Sequence, residues 1–179
     1  MEKNTKQILN LLNVISWIIF VLLSIQAGVF LFNAFFSLVI NPVGAKYFQR
    51  DIDFSKLYAF GSLSFFAETL MMILVAAIKA YMFYLIIMIF KILNIVQPFS
   101  EEVGRFIFKT SYVALVVGLL SWLGIQYSGW LVREGVKLPD MHKYFGGGDV
   151  FLMMGAVLFV IAQIFKRGIE IQSENELTV

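Results

Sequence analysis

The chain has 179 residues, a formal net charge of only +2 and no cysteine. The lack of cysteine excludes a disulfide framework, a thiolate nucleophile and a cysteine-ligated metal, and the small charge does not indicate direct nucleic-acid binding. Hydrophobic residues make up 60% of the chain, more than in typical soluble domains. A spanning helix needs roughly 20 mainly apolar residues. The candidates are residues 14–36, 69–90, 110–132 and 150–165, and we expect the last, which is short, to extend into its flanks.

The first two spans have clear stop signals. We expect the first helix to continue to about Ile40, where Asn41-Pro42 ends it because proline cannot continue a helix. Residues 41–60 then form a long loop. The second helix is predicted over about 61–95, with Gln97-Pro98 as its end.

The third and fourth spans have start signals. Ser100 is a good N-cap for the third helix, and Glu101 and Glu102 follow in its first turn, where the helix dipole favours anions. A second long loop covers residues 133–149, and Asp149 can cap a fourth helix that continues to about Gln172. These elements predict one all-α domain over residues 1–179, a four-helix transmembrane bundle with up-down-up-down connectivity.

An even number of spans places both termini on one side of the membrane, here called the terminal side, and both long loops on the other, the loop side. The terminal side carries Lys3, Lys6, Lys91, Arg105, Lys109, Lys166 and Arg167, and the loop side carries Lys46, Arg50, Lys56, Arg133, Lys137 and Lys143. Cytoplasmic loops are enriched in Lys and Arg. The bias of seven against six favours cytoplasmic termini.

Lys79 is the charged residue that most needs an explanation, because it lies near the middle of the second span. A lysine there costs on the order of 2.5–3.5 kcal/mol on insertion scales. Glu68 is on nearly the same helix face, but about 16 Å away along the axis. Gln26 of the first span lies at a similar depth, and we hypothesise that its carbonyl accepts a hydrogen bond from Lys79.

Three interpretations of this candidate intramembrane polar site of Lys79, Glu68 and Gln26 stay open. Lys79 extends to the interface or pairs within the bundle; it lines a solute or gating cavity; or it contacts a lipid headgroup. A cavity would indicate a small channel, transporter or solute-binding protein.

Small residues recur at four-residue spacing, which permits close approach of helices. The pairs are Ser24/Gly28, Ala76/Ala80, Ala114/Gly118 and Gly124/Ser128. They indicate packing within the bundle, with homodimerisation as the alternative.

Catalytic patterns are not visible in the sequence. His142 is the sole histidine, and a single histidine in a polar loop is typical of a solvated side chain rather than a metal site. No Ser/His/Asp set, carboxylate pair or HExxH motif is present. We expect no enzyme activity, no metal and no cofactor.

Two stretches carry a family resemblance: Gln97-Pro98-Phe99-Ser100-Glu101-Glu102-Val103-Gly104-Arg105, and the C-terminal segment from Ile161 through Lys166-Arg167-Gly168 to Leu177-Thr178-Val179. With four spans in a short chain, they resemble the YoaS-like bacterial membrane proteins, domain-of-unknown-function family 2975. That family shows a Pro-Phe-Ser turn between its second and third spans and ends in a basic pair, a glycine and a Gln-x-Glu-x-x-Leu-Thr-Val/Ile tail.

The resemblance implies a multi-pass protein of the bacterial cytoplasmic (inner) membrane, without an established molecular function. It also implies a partner, since members of that family often look like partners of a small helix-turn-helix regulator that a neighbouring gene encodes. Both stretches lie on the terminal side, where acidic groups can meet a basic protein surface; the alternative is that the tail covers its own bundle. The candidate partner-binding residues are Ser100, Glu101, Glu102, Arg105, Glu170, Gln172, Glu174, Leu177 and Val179. The leading hypothesis is a membrane-anchored regulatory or scaffolding protein.

Overall fold

The computed structural model describes residues 2–93 and 99–176, and the side chains of 2–4 and 175–176 are not described. Within these residues the secondary structure is helical, with one isolated antiparallel bridge between Gln49 and Ile52. The α-helices are α1 (Glu2–Phe35), α2 (Ser55–Phe60), α3 (Ser62–Ile92), α4 (Glu101–Arg133), α5 (His142–Phe145) and α6 (Gly148–Glu176). The fold is therefore an all-α membrane bundle, with α1, α3, α4 and α6 each long and apolar enough to cross a membrane.

The end of the first helix agrees with its predicted stop signal, whereas the start of α1 and both ends of α6 differ from the prediction. A π-helical turn, Phe36–Ile40, extends α1 as far as Asn41, whose side chain accepts a hydrogen bond from the Val43 N–H. The polar start of the chain is helical from Glu2, and α6 runs to Glu176, beyond the predicted end. Asp149 lies in the first turn of α6 and not at its cap, because α6 already begins at Gly148.

The first loop is folded, although the sequence predicted only a connection. Pro42–Tyr47 forms a 3₁₀-helix, and Ser55–Phe60 forms α2. Asn33 of α1 donates a 2.7 Å hydrogen bond to the Phe48 carbonyl, which holds the loop against the bundle.

A cluster that we call the loop-side cap fills this end of the bundle. Its members share nearly complete burial and come from α1, both loops, α2 and α3: Phe30, Phe48, Ile52, Phe54, Leu57, Phe65, Val136, Met141 and Phe145. The Phe48 ring lies 5.1 Å from that of Phe54 and 6.0 Å from that of Phe65, which are ordinary aromatic packing distances. Burial of so many aromatic rings makes this end a continuous core.

The spanning helices pack in chain order, α1 on α3, α3 on α4, and α4 on α6, and α1 and α6 do not pack along each other. Glycines bring α4 and α6 together: a Cβ at Gly118 would lie 2.6 Å from Leu152 Cγ, and one at Gly155 would lie 2.7 Å from Leu115 Cγ. Just before α6, Gly147 has φ +80°, a conformation that favours glycine.

Large apolar side chains cover the outside of the helices. Leu22, Phe32, Leu63, Val150, Met153 and Ile164 are all exposed. Soluble proteins rarely expose so much apolar surface to water, whereas a membrane protein exposes such a surface to lipid. The chain is therefore a multi-pass membrane protein.

Candidate functional site

A groove lies on the terminal side, between the beginning of α4 and the end of α6. We call it the α4–α6 groove; its volume is about 560 Å³. It is lined by Glu101, Gly104, Arg105, Phe108, Lys109, Tyr112, Ala162, Lys166, Ile169 and Glu170.

Local capping and ring packing fix the two walls. The Ser100 hydroxyl accepts a hydrogen bond from the Val103 N–H at 3.3 Å, which confirms Ser100 as the N-cap of α4. The preceding Phe99 lies against α6, with its ring 5.0 Å from that of Phe165. A Cβ at Gly168 would lie only 2.7 Å from the Phe99 ring. Glycine at 168 therefore allows Phe99 to bring the start of α4 onto the end of α6.

The groove is amphipathic. Phe108, Tyr112, Ala162 and Ile169 give it apolar walls, while two carboxylates and three cations surround them. Glu170 also forms a 2.8 Å salt bridge with Arg167, and since both side chains are exposed this pair adds little to stability. Charges of both signs around an apolar floor suit an amphipathic ligand better than a fully ionic one.

Several of the candidate partner-binding residues meet at this place. Glu101, Arg105 and Glu170 line the groove, and Glu102 joins Glu101 and Arg105 in an adjoining depression of about 260 Å³. Gln172 and Glu174 lie on the last turns of α6, where each has an interaction of its own. Leu177 and Val179 lie outside the described residues, as do Gln97 and Pro98.

The sequence predicted Arg105, but not the other two basic residues of the groove or its apolar residues. The missed residues are Phe108, Lys109, Tyr112, Ala162, Lys166 and Ile169. The helical spacing could have indicated Phe108 and Tyr112. Positions 101, 105, 108 and 112 recur every three or four residues and so share one face of a helix.

The intramembrane candidates do not form one site. Lys79 Nζ lies 5.1 Å from the ring centroid of Phe151 on α6, and the hydrogen bonds found among the described residues include none between Lys79 and Gln26. The pairing of Gln26 with Lys79 stays a prediction. Gln26 lies on α1, whereas Glu68, on nearly the same face of α3 as Lys79, contacts α4.

Glu68 is the most enclosed ionisable residue of this region, with none of its surface exposed. Its Oε1 lies 2.5 Å from the Ser128 hydroxyl of α4, and its Oε2 has no hydrogen-bond partner within the described structure. The Ser121 hydroxyl, two turns earlier on α4, is likewise buried without a described partner. Ser121 lies next to Gly148 at the start of α6, because a Cβ at Gly148 would be 3.2 Å from its Cβ.

The glycines of the predicted small-residue pairs differ in how closely other side chains approach them. Gly118 and Gly124 face close neighbours, since a Cβ at Gly124 would lie 2.6 Å from the Phe145 ring. A Cβ at Gly28 would meet nothing within 4 Å. Packing within the bundle therefore accounts for Gly118 and Gly124 but not for Gly28, and homodimerisation stays a prediction.

Comparison with known proteins gives one family and no individual relative. No curated protein and no solved structure matches the chain. The model of the family described as "Protein of unknown function (DUF2975)" matches residues 53–179. That range includes the α4–α6 groove, Lys79, Glu68 and Ser128, and it leaves out all of α1. The chain belongs to this DUF2975 family of proteins of unknown function.

Proposed function

We propose that the protein is a membrane-anchored docking protein with a regulatory or scaffolding role, and that the α4–α6 groove binds an amphipathic helix of a protein partner. One observation carries the proposal: the two stretches that resemble the family pack on each other through Phe99 and Gly168. Together they form the groove. The partner that fits the resemblance is a small helix-turn-helix regulator.

The chemistry of the groove supports a protein occupant. Phe108 and Ile169 match the apolar stripe of a helix, as in other helix-in-groove complexes. Basic residues flanking that stripe would pair with Glu101, Glu102 and Glu170. An anionic headgroup would gain from the three cations, but these carboxylates would repel it.

This proposal includes an orientation. Both termini, and with them the groove, would face the cytoplasm from the bacterial inner membrane, where a regulator can reach them. The small charge bias of the two sides supports that orientation. Transport or solute binding around Lys79 is less favoured, because the Lys79 ammonium faces the Phe151 ring.

A photo-cross-linking pair tests the occupant in living cells. The reactive residue replaces Ile169, which lines the groove, or Ile171, which is two residues further on α6 and 47% exposed. These positions differ by about 200° around the helix. We expect a protein adduct from position 169 that position 171 does not give. Equal adducts from both positions, or adducts with lipid alone at 169, would contradict the proposal.

Charge-reversal variants in the same cross-linking experiment test whether the acidic residues of the groove hold the partner. Glu101→Lys with Glu102→Lys should abolish the adduct at 169, whereas Glu134→Lys, at the opposite end of α4, should leave it unchanged. Purified helix-turn-helix regulator, added to the protein in nanodiscs, then shows whether the cross-linked partner binds directly. An adduct that survives the double charge reversal would show that Glu101 and Glu102 do not hold the partner.

A further inference from the structure

The hydroxyl of Ser128 has two close oxygen neighbours but only one hydrogen. Its Oγ lies 2.5 Å from Glu68 Oε1 and 2.8 Å from the carbonyl oxygen of Gly124. Both separations are hydrogen-bonding distances for oxygen atoms. A backbone carbonyl accepts and never donates, and an ionised carboxylate also only accepts. If Glu68 were ionised, one of these two contacts would have no hydrogen in it.

A proton on Glu68 supplies the hydrogen that one of the two contacts of Ser128 would otherwise lack. The acid O–H at Oε1 then donates to Ser128 Oγ, and the Ser128 hydroxyl donates to the Gly124 carbonyl. Both short contacts contain a hydrogen in this arrangement, and 2.5 Å is within the usual range for an O–H donor to oxygen.

The surroundings of Glu68 agree with a neutral acid. The residue is fully buried, and its Oε2 has no partner within the described structure. Burial of an unpaired charge costs far more than burial of an unpaired neutral oxygen. The described salt bridges do not include Glu68, and Lys79 is about 16 Å away along α3.

Ser128 also connects Glu68 to the loop side. It lines a depression of about 290 Å³ together with Pro139, Asp140 and His142, among others. The residue whose hydroxyl contacts the buried carboxyl is therefore also a lining residue of this depression, which opens toward the loop side. Asp140 and His142 are the titratable members of this depression, and α4 presents the Ser128 hydroxyl to Glu68.

We propose that Glu68 is a buried proton-binding site that exchanges its proton with the loop side through Ser128. In the exchange, Oε1 passes its proton to Ser128 Oγ while the hydroxyl's own proton leaves for a water or for His142 in the depression. Glu68 becomes a carboxylate, Ser128 stays neutral, and the acceptor gains one proton. This site does not depend on the partner proposed for the α4–α6 groove.

Infrared difference spectroscopy of the whole protein in lipid nanodiscs tests the proposal at neutral pH. A protonated carboxyl gives a C=O stretching band that an ionised carboxylate lacks. We expect this band in the wild type, a downshift of the band in D₂O, and its loss in Glu68→Gln. A wild-type spectrum without the band, or a band that Glu68→Gln leaves in place, overturns the proposal.

Serine variants test whether the proton exchanges through Ser128, with another buried serine of α4 as the control for effects on the fold. Ser128→Ala removes the acceptor of the acid proton, so we expect the band to shift and its change in D₂O to become slower. Ser121→Ala, a buried serine two turns away on α4, should change neither. Should Glu68→Gln fail to fold, the Ser128→Ala shift decides, because the carboxyl is then intact. A Ser128→Ala spectrum identical to the wild type would contradict the proposed bond.

Discussion

The two ends of the bundle are built in opposite ways. At the loop side, side chains from α1, α2, α3 and both loops interlock in the loop-side cap. At the terminal side, contacts are made within pairs of helices, such as Phe20 with Tyr84 between α1 and α3, and Phe99 with Phe165 between α4 and α6. The contrast indicates that one end supplies stability, whereas the other leaves the α4–α6 groove open.

Truncation of a cap residue should give the largest effect. Phe48 is fully buried and packs against Phe30, Phe54 and Phe65. We expect Phe48→Ala to lower the free energy of unfolding by about 3–5 kcal/mol, because it leaves a cavity in a core that cannot collapse. Unfolding in mixed SDS micelles, followed by circular dichroism, measures the change.

The control for this experiment is Phe35→Ala, since Phe35 is 55% exposed on the outside of α1. Its effect should be far smaller. If the two variants lose similar stability, then the cap is not the main source of stability, and the contrast between the two ends fails.

A methyl group between α4 and α6 tests the contact that joins the two ends. A Cβ at Gly118 would lie 2.6 Å from Leu152 Cγ and 2.8 Å from the Gly148 carbonyl oxygen. Because one neighbour is backbone, Gly118→Ala should force the helices apart and cost about 1–3 kcal/mol.

Gly129→Ala is the matched control on the same helix, since a Cβ there would meet nothing within 4 Å. It should stabilise the protein by up to about 1 kcal/mol, because alanine is the better helix former. The same substitution thus has opposite expected signs at two positions of α4, and equal signs in the unfolding assay would refute the close approach.

Lys79→Met should have a smaller and stabilising effect. Lys79 is partly buried near the middle of α3, and its described contact is the Phe151 ring. A cation over a ring contributes about 0.5–2 kcal/mol, which is less than the roughly 2.5–3.5 kcal/mol cost of a lysine at mid-span. We expect a gain of about 1–2 kcal/mol in the SDS assay. A loss would show that the ammonium has a favourable role that this contact does not explain.

The smallest expected effect is a pH dependence at the edge of the cap. Hydrogen bonds from the side chain and the N–H of Ser55 hold the pKa of Asp53 below its usual value. A lowered folded-state pKa adds stability above the unfolded value, near pH 4, and that stability is lost as the pH falls through the folded value. Solvent screening limits it to less than about 0.5 kcal/mol. Asp53→Asn keeps an acceptor for Ser55 and should remove only this acid dependence.

Apolar blocks predicted the spanning architecture well because length and composition alone decide whether a helix can cross a bilayer. Ser100 was identified as a cap for an equally local reason, since a cap hydroxyl contacts an N–H three residues later. The folded first loop was missed because Ala45, Phe48 and Ile52 are buried by distant segments rather than by their own helix.

Side-chain partners in the membrane were harder to predict than spans. Helical geometry places Glu68 and Lys79 on nearly the same face of α3, but the sequence does not say which helix lies on that face. Ser128 is 60 residues from Glu68, and it was noticed only as a small residue. The groove was half predicted: its charges lie in recognisable motifs, whereas its apolar floor looks like any other part of a spanning helix.

Completion of the loop-side cap also sets an order for biogenesis. Phe30, Phe48 and Phe65 belong to the first part of the chain, but Val136, Met141 and Phe145 come from the second loop. The first two spans therefore enter the bilayer with an aromatic cluster that has no cover from Phe145. That cluster stays open until the second loop has reached the same side of the membrane. Arrival of residues 136–145 at that side completes the cap.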